Sequence, residues 1–86
     1  PTLMTRYGTF LFDLGKYAEA RAWFEKVITI EPKNTDVRAA LAVIHLQDRD
    51  FQAAEEVVKQ IEQIDPKHAG LDRLKKRLAV ERGPAK

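Results

Sequence analysis

The chain has 86 residues, with 15 Lys and Arg against 13 Asp and Glu, 44% apolar residues and no Cys. That is one small domain or a piece of a larger protein, and so short a chain buries only about 60% of its unfolded surface, with no disulfide or thiolate metal site to supplement the core. Ser is also absent and the two His are His45 and His68, which excludes Ser/His/Asp and Cys/His nucleophilic arrangements, and no apolar run approaches the roughly 18 residues of a membrane-spanning helix.

The chain opens Pro1-Thr2-Leu3-Met4, with neither an initiator Met nor a signal-peptide pattern, so a processed or truncated N-terminus is expected. A first helix is predicted from about Leu3 to Leu14, ended by Gly15, the residue type best suited to a left-handed helix terminus. A second follows from Tyr17, where Tyr17, Ala20, Phe24, Val27 and Ile28 hold the i, i+3, i+7 spacing, and it ends near Pro32. A third runs from about Thr35 to Asp48 and is apolar nearly all round, as in a helix with neighbours on more than one side. Arg49 stands where Gly15 stood and bears a strain of roughly 1 kcal/mol if it takes the same left-handed conformation. A fourth helix, on Phe51, Ala54, Val58 and Ile61, ends near Pro66, and a last one spans about Ala69 to Arg82 before a Gly83-Pro84-Ala85-Lys86 tail.

These elements repeat. Ile30-Glu31-Pro32-Lys33 returns as Ile64-Asp65-Pro66-Lys67, a shift of thirty-four residues that also pairs Ala20 with Ala54, Tyr17 with Phe51, Val27 with Ile61, Gly8 with Ala42 and Leu3 with Val37. The chain therefore divides into a first unit (1–34), a second (35–68), a closing helix (69–82) and the tail (83–86). In the closing helix Leu71, Leu74 and Leu78 keep the inward offsets, whereas Lys75, Lys76 and Arg82 make the face toward a following helix basic, as expected of a helix that ends an array. Charge follows this division: residues 1–66 carry 8 basic and 11 acidic side chains, residues 67–86 carry 7 and 2.

The period and its small residues resemble the tetratricopeptide repeat family. Tyr7, Gly8, Leu11, Ala20, Phe24, Val27 and Pro32 match or nearly match in the first unit; Leu41, Ala42, Ala54, Val58, Ile61 and Pro66 do so in the second. His45 departs from the usual bulky apolar residue, and Val27 and Ile61 from the usual Ala. The pentatricopeptide repeat, similar in length, fits less well, because the Ala and Pro positions differ and no base-reading register is present.

The resemblance implies an all-α superhelix of two helix-turn-helix repeats plus a capping helix, non-catalytic, with a concave groove that holds a peptide or a partner protein. Position by position, it places Thr2, Thr5, Thr9, Phe12 and Asp13 of the first helix, Asp36, Ala39, Val43, Leu46 and Gln47 of the third, and Arg73, Arg77, Val80 and Glu81 of the last along that groove. Phe12, Val43 and Leu46 would form an apolar floor, or else pack within the fold. Arg73 and Arg77, at i and i+4, would form a basic wall able to hold a carboxylate of a partner with apolar and acidic residues. The Lys and Asn residues with which some members grip chaperone C-termini are replaced by Thr5, Thr9, Ala40, Gly70 and Leu74, so that clamp is absent.

Other chemistry is thinly represented. No cofactor or metal site is expected: His45 and His68 fall on different units, and His45 reads as a partly buried side chain hydrogen-bonded near Asp48 or Arg49. Glu55 and Glu56 diverge on their helix, and Glu55 is better placed to pair with Lys59. Nucleic acid is not the expected partner, since the basic helix has no interleaved aromatics. By periodicity Leu3 and Phe10 face a unit outside this sequence, with Trp23 nearby. The alternative function is therefore self-assembly through that apolar end, unless further repeats or an enzyme domain precede it. The compartment expected is the cytoplasm, and the Cys-free composition suits the periplasm equally well.

Overall fold

Residues 2–82 are described by the computed structural model and form five helices: α1 (Thr2–Asp13), α2 (Tyr17–Ile30), α3 (Thr35–Gln47), α4 (Phe51–Ile64) and α5 (Leu71–Arg82). Among the described residues there is no strand. The predicted tail lies outside them.

Local chemistry sets the ends of these helices. The Asn34 side chain accepts a hydrogen bond from the Val37 amide at 3.1 Å and the Asp50 side chain one from Ala53 at 3.2 Å, each satisfying a loose donor in a first turn. Gly15 has φ of 81°, and the amides of Gly15 and Lys16 bond back to Phe12 and Leu11. Arg49 has φ of 59°, and the amides of Arg49 and Asp50 bond to Leu46 and His45 in the same pattern. The left-handed geometry expected at Arg49 is thus present. The last helix begins at Leu71, two residues later than predicted. His68 is the reason: its Nδ1 accepts from the Gly70 amide at 3.1 Å, and this holds residues 68–70 in a turn, leaving the Gly70 carbonyl to accept the first bond of α5.

Antiparallel neighbours α1 and α2, and then α3 and α4, form two helix pairs. α2 packs on α3, and α5 packs on both α3 and α4. The core follows the repeat: Leu11, Ala20, Phe24, Val27, Val37, Leu41 and Ile44 form one buried cluster, and Ala42, Leu46, Ala54, Val58, Ile61, Leu71, Leu74 and Leu78 form the other. α3 contributes to both, which is why its sequence is apolar nearly all round.

Within the first pair, α1 and α2 meet at Gly8, where an added Cβ would lie 2.7 Å from the Phe24 ring. One period later the pair is Ala42 and Val58, both buried. A methyl has been added on one helix and an aromatic ring exchanged for an isopropyl group on the other, so the same gap is filled in two ways.

His45 occupies the place that Leu11 holds in the first unit and is likewise buried, but its Nδ1 has no hydrogen-bond partner. The expected bond to Asp48 or Arg49 is therefore not made. Burial lowers the His45 pKa below its ordinary value, and the positive charge of Arg21 on α2 lowers it further, against the opposing charges of Asp50, Asp48 and Glu25.

Three stability predictions follow from these contacts. Gly8→Ala should destabilise the protein by roughly 1 to 2 kcal/mol in urea denaturation, because overpacking outweighs the gain in helix propensity. In a Phe24→Val background the same substitution should be neutral or stabilising, and a penalty of equal size in both backgrounds would refute the packing account. Arg49→Gly should raise stability by about 1 kcal/mol through relief of the positive φ, which would appear as an increase of several degrees in Tm. The folded-state pKa of His45 lies below the unfolded one, so below pH 6.5 the unfolded chain binds more protons and stability falls as the pH drops toward the folded value. His45→Leu, which installs the residue type of the first unit, should flatten the stability profile between about pH 7 and 5. Parallel profiles for the two proteins would contradict this.

Candidate functional groove

The inward faces of α1, α3 and α5 line a cavity of about 340 Å³. α1 presents Thr9, Phe12 and Asp13 to it, α3 presents Ala39, Ala40 and Val43, and Arg73 and Leu74 enter from α5, with Gly70 just before that helix and Phe24 behind. The cavity exists because the side chains at its centre are short: Ala39, Ala40 and Gly70 leave room between Phe12 and Leu74. Phe12 is fixed by an edge contact with Tyr17, their ring centroids 5.3 Å apart.

Six of the fourteen residues assigned to the groove from sequence meet there. Thr9, Phe12, Asp13, Ala39, Val43 and Arg73 line the cavity, while Thr2, Thr5, Asp36, Leu46, Gln47, Arg77, Val80 and Glu81 do not. Leu46 is 1% exposed and belongs to the second core cluster. It lies three residues after Val43 on α3, about 60° around the helix, which turns it toward Ala42 and the α4 side. Gln47 is exposed at the last position of α3. Ala40 and Gly70 enter the sequence analysis only as positions where clamp side chains are missing, and their lack of bulk helps to open the space that Leu74, an inward residue of the closing helix, bounds.

The charge around the groove is more local than the sequence implies. Arg77 donates from Nε to Glu81 one turn along α5 and is half-buried, so the paired guanidinium wall is reduced to Arg73. On the far side of α5, Lys75 pairs with Glu62 and Arg82 with Glu55, which also lies 3.8 Å from Lys59. The hydrogen bond and charge of Arg82 hold the Glu55 carboxyl below its ordinary pKa. The basic face of α5 therefore turns largely onto acidic residues of α4. Arg73 is exposed and makes no ion pair among the described residues, and neither does Asp13 across the cavity.

One polar contact closes the groove at its edge. His68 Nδ1 accepts from Gly70, so Nε2 carries the proton and donates to the Asp36 carboxylate at 2.8 Å, joining the start of α3 to the turn before α5. Nearby, Arg38 donates to the Pro32 carbonyl at 2.8 Å and to Gln60 at 2.6 Å, tying α3 to the preceding turn and to α4.

At the other end of the molecule Leu3 is 79% exposed and Phe10 58%. Trp23 is half-buried, edge-on to Tyr7 at 5.1 Å between ring centroids, with Lys26 Nζ 4.5 Å over its ring. Tyr7 and Leu14 are also exposed on this end, and sequence reasoning overlooked both. Their spacing from Leu3 and Phe10 was the available signal.

No helix among the described residues is long and apolar enough to cross a membrane. Comparison with curated proteins and with solved structures returns no match. A family model for the tetratricopeptide repeat matches residues 11–78, from the last turn of α1 into α5. With the paired helices, the close approach of α1 and α2, and the all-α architecture already described, this match places the chain in the tetratricopeptide repeat family.

Proposed function

We propose that this chain is a non-catalytic binding module that holds a segment of a partner protein in the groove between α1, α3 and α5. Tetratricopeptide repeats generally mediate protein–protein interaction. The observation that carries the finer reading is the cavity itself: an apolar floor of Phe12, Ala40, Val43 and Leu74, with Arg73 on one wall and Asp13 on the other. Its volume accommodates one bulky apolar side chain with part of its backbone, and small residues rather than flexible ones create the space, so binding requires little rearrangement.

The segment that suits this site carries a large apolar residue close to a carboxylate. The apolar residue enters between Phe12 and Val43, while the carboxylate takes the Arg73 guanidinium, which has no competing ion pair among the described residues. Asp13 on the opposite wall disfavours a second acidic group there and so gives the segment a direction.

Selection of a random peptide display library on the purified chain tests this reading. Enriched sequences should place Leu, Phe or Trp near Asp or Glu, and in fluorescence anisotropy Arg73→Glu should weaken the best peptide by about tenfold or more, the usual magnitude for one charge-assisted hydrogen bond. Ala40→Leu should weaken it as well, by filling the cavity. Failure to enrich any common pattern, or peptides indifferent to both substitutions, would count against the groove as the binding site.

A further inference from the structure

The exposed apolar surface of α1 runs along a single line. Leu3, Tyr7, Phe10 and Leu14 are all about half exposed or more, and they follow one another at intervals of four, three and four residues. That spacing is the apolar seam by which one helix packs lengthwise on another. The chain itself shows what such a row does when it has a neighbour: Val37, Leu41 and Ile44, one period after Leu3, Tyr7 and Phe10, are buried in the cluster shared with α2.

The flanking residues differ between the two rows, and they identify the neighbour. Beside the buried row of α3 stand the uncharged Ala40 and Gln47. At the same offsets α1 carries Arg6 and Asp13, opposite charges seven residues apart along one edge of the seam, and neither makes an ion pair among the described residues. A pattern of this kind complements itself when reversed. With a second α1 laid antiparallel, Leu3 faces Leu14 of the second copy and Tyr7 faces Phe10, while Arg6 of each copy meets Asp13 of the other. A parallel arrangement places Arg6 and Asp13 beside Met4 and Leu11 and pairs no charge.

We propose that α1 is the interface of an isologous dimer, in which two copies of this chain pack antiparallel along Leu3, Tyr7, Phe10 and Leu14 and two symmetry-related Arg6–Asp13 ion pairs fix the direction. Trp23 braces the seam by holding Tyr7 edge-on. The groove opens beside the seam on α1, with Asp13 on the edge that the two share.

Sedimentation velocity on the whole chain from low micromolar to near-millimolar concentration tests the proposal. The unmodified chain should show a concentration-dependent dimer, and Phe10→Asp should abolish it while circular dichroism shows the helices intact. Arg6→Asp or Asp13→Arg alone should weaken the dimer by about tenfold, since each replaces two attractions with two repulsions. The two together should restore it to within about twofold, because the pairs re-form with their signs exchanged. A monomer at every concentration would overturn the proposal and give the face to a helix from elsewhere. A dimer indifferent to Phe10→Asp would place the contact on another surface, and failure of the double reversal to rescue would refute the antiparallel direction.

Discussion

The fold depends on how closely two helices of a pair can approach. At Gly8 no side chain separates α1 from the Phe24 ring, and Ala20, wholly buried on α2, permits the same closeness from the other side. One period later Ala42, Ala54 and Val58 repeat the arrangement with the bulk redistributed. Close approach lets a chain of this length enclose Phe24, Val27, Ile44 and Ile61 almost completely without disulfide or metal.

The groove is what remains once the large side chains have been used. α3 directs Val37, Leu41 and Ile44 into one core and Ala42 and Leu46 into the other, leaving Ala39, Ala40 and Val43 on its inner side. α5 covers the second core with Leu71, Leu74 and Leu78 and engages α4 through Lys75 and Arg82. With Arg77 paired to Glu81, three of the five basic side chains of α5 are ion-paired within the molecule, and Arg73 is left facing the cavity. The groove has an apolar centre and a single cationic wall because packing and ion pairing elsewhere account for the other residues.

Local pattern was the readily legible part of the fold. The thirty-four-residue period located four helices to within about two residues at each end, and the Gly15 and Arg49 turns, because these depend on apolar spacing and on the residue types that terminate helices. What was obscure depended on contacts distant in sequence. The later start of α5 reflects the bond from His68 to Gly70, the removal of Leu46 from the groove floor reflects packing contributed by α4 and α5, and the unbonded His45 ring reflects a pocket built for Leu. The loss of Arg77 to Glu81 was visible in principle, since the two are four residues apart on one helix, but the pattern of basic residues drew attention to charge alone. Tyr7 and Leu14 continue the spacing of Leu3 and Phe10, but Tyr7 also fits a repeat position, and spacing alone does not show which of the two it serves.

On the proposed function, the inner surface of α1, α3 and α5 is where this chain meets its partner. Amide chemical-shift mapping in the presence of a library-selected peptide addresses it most directly. A contiguous set of perturbed amides is expected at Phe12, Ala39, Ala40, Val43, Gly70 and Arg73, with the outer faces of α2 and α4 unchanged. Perturbations concentrated on α2 and α4, with the cavity residues unmoved, would contradict it.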